Sequence, residues 1–310
     1  MKTNILIIGQ GAIGTFLGAA FTAAGTEVTH YIRNPNKAAA IVELCLNDRR
    51  KTSGKIKNGT PYHYNIVTKL TNIEGFPFIF IPVSHNSWHQ IVTTLQPLLQ
   101  PHQTVVLSGN VWNDFDWLEQ HIPAPFVYAF PNFGGAITNG QLQGWLTPNL
   151  TLGITNPNCR PQLNALLQLL RQAGFAPKHE TDIQGWLMTH FAWNAGLLAE
   201  AARQNGFVNM TKSWQSLTQM YRLTRECMQV VNHCGIHTAS FAEGRAAFKP
   251  YVWNALKTRL LFMLPGLAKS ADTTKNLPEW WSYAQKVYTT AVELNFPAPL
   301  LSACQQYWTG

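Results

Sequence analysis

The sequence predicts an α/β protein: an N-terminal doubly wound parallel sheet followed by an all-helical C-terminal domain. Three observations carry that expectation. Short β-branched apolar runs recur through the first half with helical stretches between them. A glycine-rich turn follows the first of these runs directly. After about Phe175 strand-like runs give way to long helical patterns, which places the domains at residues 1–178 and 179–310.

Asn4-Ile5-Leu6-Ile7-Ile8 has the pattern of a buried parallel strand. Gly9-Gln10-Gly11-Ala12-Ile13-Gly14 follows, then a small-residue helix from Thr15 to Ala24 stopped by Gly25. Glu27 to Ile32 is a second strand, which completes one βαβ unit. Residues 34–47 read as helical at their start, and Arg49 to Gly59 as a basic, turn-rich loop. Phe78–Ile81, Thr104–Ser108 and Phe126–Phe130 are further strands, with a helix from Trp88 to Leu99 between the first two. Gly134-Gly135 reads as a glycine-rich segment, and Leu150–Ile154 as a strand that closes the sheet. In the second half, helices are expected at 182–202, 210–234, 251–263 and 279–293, with a short one after Pro299.

Charge is scarce and lopsided. Only 12% of residues are charged, against about 25% in ordinary domains, and 23 basic against 15 acidic residues leave +8. A basic surplus points to an anionic partner. The glycine-rich turn says which kind. In a GxGxxG placed between strand and helix, the first glycine makes the tight turn. The second admits a pyrophosphate to the backbone, and the third lets helix and strand pack. Gly9, Gly11, Ala12, Ile13 and Gly14 are therefore the expected cofactor-binding residues of a Rossmann-type domain, with the helix N-terminus facing the phosphates. The second strand ends Tyr31-Ile32-Arg33-Asn34, with no acid for ribose hydroxyls. Arg33 can instead grip a 2′-phosphate, with help from Lys37, so NADP is favoured over NAD. The plain alternative for Arg33 is an exposed loop charge. The Arg49 to Lys57 loop is expected near the same phosphate.

Other classes find little support. The five cysteines are scattered, without a CxxC pair, which argues against a disulfide framework or zinc site and for a reducing, cytoplasmic setting. The longest apolar run is far short of the roughly 20 residues needed to cross a bilayer. Lys2 and the following apolar run imitate a signal peptide, but Gly9-Gln10-Gly11 interrupts it. The basic loop lacks interleaved aromatics, so neither nucleic acid nor membrane is an expected partner.

A basic residue after the second strand, followed by a helical second half, resembles the ketopantoate reductase (2-dehydropantoate 2-reductase) family. That resemblance implies NADPH-dependent reduction of a 2-oxo acid. Asn110, in Ser108-Gly109-Asn110-Val111, falls on a family asparagine that contacts cofactor and substrate. Asp182-Ile183-Gln184-Gly185-Trp186 leads to His190 at the position of the catalytic lysine and to Asn194 at that of an asparagine. Glu279, twenty residues before Pro299, matches a family glutamate. Ser84 stands where the family has a further lysine, and Leu198 where it has a second asparagine.

The expected catalytic residues are thus His190, Asn194 and Glu279. Histidine can protonate a developing alkoxide, and Asn194, at i+4 on the same helix face, can hold the substrate oxygen. Glu279 can orient substrate or tune His190. The plain alternatives are a packed helix histidine and a helix-N-terminal acid following Pro278. The expected ligand is a small oxo-acid-like molecule, with altered substrate because both lysines are replaced. A homodimer through the tryptophan-rich helices is the expected assembly. A non-catalytic NADP-binding sensor is the rival reading.

Overall fold

The structure is a computed structural model that describes residues 4–34, 41–52, 54–262, 272 and 275–308. It divides into two compact units, Met1–Ile183 and Gln184–Gly310.

The first unit is built on an eight-stranded sheet. β1 (Asn4–Ile8), β2 (Glu27–Tyr31), β3 (Ile41–Asp48), β4 (Thr60–His63), β5 (Asn65–Val67), β6 (Phe78–Ile81), β7 (Thr104–Leu107) and β8 (Phe126–Pro131) follow in chain order. β9 (Gly134–Thr138), β10 (Gln141–Leu146), β11 (Asn149–Gly153) and β12 (Ala176–His179) complete the strands. The main sheet runs β12-β11-β8-β7-β6-β1-β2-β5. β1, β2, β5, β6, β7 and β8 pair in parallel. Their inward residues, Ile5, Leu6, Ile7, Ile79, Phe80, Val105 and Val106, are fully buried, as a sheet covered on both faces requires.

Helices α1 (Ala12–Ala23), α2 (Trp88–Leu95), α3 (Phe115–His121) and α4 (Arg160–Gln172) belong to this unit. Residues 14 to 21 of α1 are all buried, so the helix has no solvent face there. A second sheet explains this: β4-β3-β10-β9 packs against α1 and joins the same core, through Val42, Leu44, Leu142 and Leu146.

Four sequence expectations need correction. Residues 41–48, in the stretch read as helical only at its start, form β3; Val42, Leu44 and Leu46 are buried at alternate positions, the period of a half-buried strand, and residues 35–40 lie outside the described residues. Gly134-Gly135 opens β9, paired to β10 across a two-residue turn at Asn139-Gly140. Strands do not end at Phe175, since β12 pairs with β11. The main sheet is mixed, because β11 runs antiparallel to β8. The chain returns from β8 through the β9–β10 hairpin without a crossover helix, and a parallel neighbour needs one.

The second unit is helical: α5 (Ile183–Arg203, which begins at the unit boundary), α6 (Phe207–Lys212), α7 (Trp214–His233), α8 (Ala242–Ala247), α9 (Tyr251–Phe262), α10 (Leu277–Glu293) and α11 (Pro299–Trp308). Phe191, Ala195, Leu217, Met228, Val287 and Leu301 are buried along their facing sides. The buried Glu226 accepts from the amides of Leu300 (3.1 Å) and Leu301 (2.7 Å), capping α11 from α7. Burial raises the Glu226 carboxyl above its ordinary range, against those two bonds. No described helix is long and apolar enough to cross a membrane.

Candidate cofactor and active sites

The parallel pairing brings the carboxyl ends of β1, β6 and β7 to one edge of the main sheet. Gly9, Ser84 and Asn110 follow those ends, at the edge where open α/β sheets bind ligands.

Gly9 turns the chain out of β1 at φ +97°, a conformation that glycine adopts freely. Its amide donates to the Tyr31 carbonyl at 2.8 Å, which ties the turn to β2. Gly14 is a close approach: a Cβ there would stand 3.1 Å from Ile7 Cγ2 and 3.2 Å from Pro82 Cγ. Around Gly9 and Gly11 a Cβ would meet nothing within 4 Å. Gly11 is the N-cap of α1, with no side-chain cap and no acid in the first turn. The amides of Ala12, Ile13 and Gly14 precede the first intrahelical acceptor bond, which Thr15 makes to Gly11. A cavity of about 340 Å³ adjoins the turn, lined by Gly9, Tyr31, Arg33, Val83 and Gln90 among others. Open backbone donors, an unshielded helix N-terminus and a neighbouring guanidinium fit a dinucleotide phosphate.

Beneath the turn lies a buried histidine. His30 on β2 donates from Nδ1 to the Gly9 carbonyl at 2.8 Å and accepts at Nε2 from the Tyr62 hydroxyl at 3.0 Å. Desolvation by burial lowers its pKa to about 4, against the Gly9 bond, so it is neutral at pH 7. Tyr64 stacks on Tyr62 at 4.8 Å, and its hydroxyl accepts from the Gln10 amide. The second sheet's end thus braces the glycine turn. Neither His30 nor these tyrosines was foreseen; the signal was a lone histidine in a strand directly after the fingerprint.

One member of the basic loop, Arg50, is not free for the phosphate role expected from the sequence. Arg50 is fully buried and grips Asp48 through Nε (3.0 Å) and Nη2 (2.7 Å). It also donates to the carbonyls of Ala173 and Gly54 and lies over the Phe175 ring. Lys37 falls outside the described residues. Arg33 is exposed beside the cavity. The Asn110 carbonyl accepts from Trp88 Nε1 at 2.8 Å.

In the helical unit, Trp186, His190 and Asn194 follow one another at i, i+4 and i+8 on α5, all half-buried. The Trp186 and His190 rings lie parallel within 4°, 5.1 Å apart. The Asn194 amide meets His190 Nε2 at 3.0 Å. His190 Nδ1 faces Glu243 on α8, at 2.9 and 3.1 Å from the two carboxylate oxygens. Phe191 and Trp193 turn elsewhere, to Tyr283 and Tyr221. Glu279 sits in the first turn of α10, where Asn276 donates to its carboxylate at 3.0 Å and accepts from its amide. The structure therefore joins His190 to Asn194 and Glu243, and places Glu279 in a helix cap.

Residues 5–150 match the family described as Ketopantoate reductase PanE/ApbA. Glycerol-3-phosphate dehydrogenases [NAD(P)+] of Rhodopseudomonas palustris (strain TIE-1) and Bradyrhizobium sp. (strain ORS 278) are 24% and 27% identical over 190 and 192 residues. Each alignment covers 59% of this chain, and the chain spans about half (54%) of those relatives. Among solved structures, a PanE/ApbA family ketopantoate reductase from Ralstonia eutropha JMP134 superposes with TM-score 0.75 at 14% identity, over 99% of this chain and 97% of that one. D-mandelate dehydrogenase bound to NADH and anilino(oxo)acetate gives 0.74 at 11%, with the same coverage. A dimeric ketopantoate reductase from Staphylococcus aureus gives 0.70 at 16%, again over 99% and 97%. Residues 5–150 thus match the ketopantoate reductase PanE/ApbA family, and the whole chain shares its fold with solved ketopantoate reductases.

Proposed function

We propose that this protein is an NADPH-dependent reductase of a small 2-oxo acid or related carbonyl compound, with a substrate other than ketopantoate. The observation that carries this reading is the pairing of His190 and Asn194 on one face of α5. In a family member these positions hold the proton donor and an asparagine. The glycine turn, the amides of Ala12, Ile13 and Gly14, and Asn110 are the groups that would hold the dinucleotide. Arg33 would take the 2′-phosphate, which favours NADP over NAD. When bound, NADPH supplies a hydride to the carbonyl carbon.

The protein's own part is to receive the charge that appears on oxygen. His190 delivers a proton from Nε2 to the developing alkoxide, which leaves an alcohol and a neutral imidazole. Asn194 then donates its amide to the emptied Nε2, the arrangement seen in the structure. In this reading Asn194 would hold the substrate oxygen as well. Trp186 walls one side of the imidazole and favours substrates with a flat or apolar body. A homodimer, like the Staphylococcus aureus neighbour, is the assembly we propose.

The test is NADPH consumption, followed by fluorescence, across a panel of aliphatic and aromatic 2-oxo acids, aldehydes and ketones. His190→Ala should abolish turnover while leaving NADPH affinity intact. Ser84 and His190, standing where the family has lysines, favour one rival: a non-catalytic NADP-binding sensor. Tight NADPH binding by calorimetry without turnover on any carbonyl would establish that rival instead.

A further inference from the structure

We infer that Glu243 is the positioning residue that makes His190 a proton donor at Nε2. This rests on the reading of His190 as the donor. The argument starts from what a carboxylate can do: when ionised it only accepts. With both Glu243 oxygens within 3.1 Å of Nδ1, that nitrogen carries a proton. The exchangeable proton of the ring is therefore confined to Nε2, the nitrogen that meets Asn194.

In the neutral ring, Nε2 accepts from the Asn194 amide. In the imidazolium, Nε2–H is the proton to be transferred, and the Glu243 carboxylate offsets the ring's charge. Without Glu243 the neutral ring is free to place its proton on Nε2 and its lone pair on Nδ1. The stack on Trp186 fixes the plane of the ring, and the carboxylate decides which nitrogen faces which partner.

Glu243 has a simpler explanation to overcome, since it sits in the first turn of α8, where acids are favoured. However, it makes no side-chain bond into that helix end, and both its oxygens turn to His190 instead. The nearby cation, Arg245, is spent on the carbonyls of Ala239 and Ser240. Among the described residues, both Glu243 carboxylate oxygens face His190.

The experiment has two arms on the full-length protein. In the first, long-range ¹H–¹⁵N spectra of the imidazoles read the protonated nitrogen of His190, assigned by loss of its signals in His190→Ala. The neutral ring should be protonated at Nδ1 in the wild type and in Glu243→Gln, whose amide oxygen still accepts. Glu243→Ala should shift the proton toward Nε2. In the second arm, Glu243→Gln should lower kcat about tenfold or more with KM within about twofold, because the charge is lost while binding groups remain. Glu243→Asp should recover part of the loss.

A wild-type ring protonated at Nε2 with a bare Nδ1 overturns the assignment, as does an unchanged kcat in both Glu243→Gln and Glu243→Ala. If the wild type turns over no carbonyl compound, the functional reading falls. The spectra then still decide whether Glu243 sets the proton on His190.

Discussion

His30 offers the most quantitative check on how the glycine turn is built. Its burial lowers the imidazole pKa from 6.5 to about 4, and both ring nitrogens are bonded within the fold. The unfolded chain takes up a proton near pH 6.5 that the folded protein refuses until about pH 4. Between those values the unfolded state binds more protons, so stability falls as pH falls. The contribution is fully present above about 6.5 and lost by about 4. At about 1.4 kcal/mol per pH unit, that window amounts to on the order of 3 kcal/mol. The perturbation is His30→Gln, which keeps a donor for the Gly9 carbonyl and an acceptor for Tyr62 but cannot titrate. Urea unfolding followed by circular dichroism at several pH values from 4 to 7 gives the comparison. Glu226 works in the opposite direction, since its raised carboxyl takes a proton in the folded state first. It is present in both proteins and cancels in the difference. Wild type should lose stability relative to His30→Gln as the pH drops, by on the order of 3 kcal/mol across the window. Parallel pH profiles would refute the claim that His30 is a neutral, buried brace.

Two further outcomes follow from charges placed in the first unit. Arg33→Ser should weaken NADPH binding about tenfold and leave NADH binding unchanged, measured by calorimetry, because an exposed charge-assisted contact is lost. Equal loss for both cofactors would place Arg33 elsewhere on the dinucleotide. Asp48→Asn should destabilise by about 3–5 kcal/mol at pH 7, since it leaves the buried Arg50 without its counter-charge. Burial alone would raise the Asp48 carboxyl. The bonds from the Arg50 side chain, the Ile56 amide and the Arg50 amide, with the Arg50 charge, hold it below its usual range. The wild-type advantage is therefore full above about pH 4 and fades as the pH falls further, which urea unfolding at pH 7 and pH 3 will show. Asp48→Leu with Arg50→Met should recover most of the loss.

What the sequence discloses depends on how locally each feature is encoded. β1, β6, β7 and β8 are continuous apolar runs, and α5 is a long uninterrupted pattern, so each is legible by itself. The second sheet is not. β3 alternates properly, but its partner β10 lies almost a hundred residues on, and no local signal announces a parallel pair without its own crossover helix. Gly135 looks like a turn residue, yet a Cβ there would collide with the Gln143 backbone of the neighbouring strand. Cross-strand packing, invisible in one dimension, selects it. Arg50 illustrates the same limit. Its basic neighbours suggest a solvated loop, while the acid two residues earlier, Asp48, and the Phe175 ring draw it inside.

The two bonded histidines, His30 and His190, show why a candidate site is harder to read than a fold. Both offer Nδ1 to an acceptor and Nε2 to a polar neighbour. The difference lies in the acceptor. A backbone carbonyl has no charge to set against a second proton, so His30 stays a neutral strut, sealed at zero exposure. A carboxylate does, and the His190 side chain keeps 14% of its surface open where His30 is sealed. Glu243, fifty-three residues away in a six-residue helix, creates that difference. Asn194 is visible at i+4, but nothing in the spacing of the chain points to the glutamate. The helical half carries His190 where the resemblance implies a lysine, and only folding brings Glu243 to it.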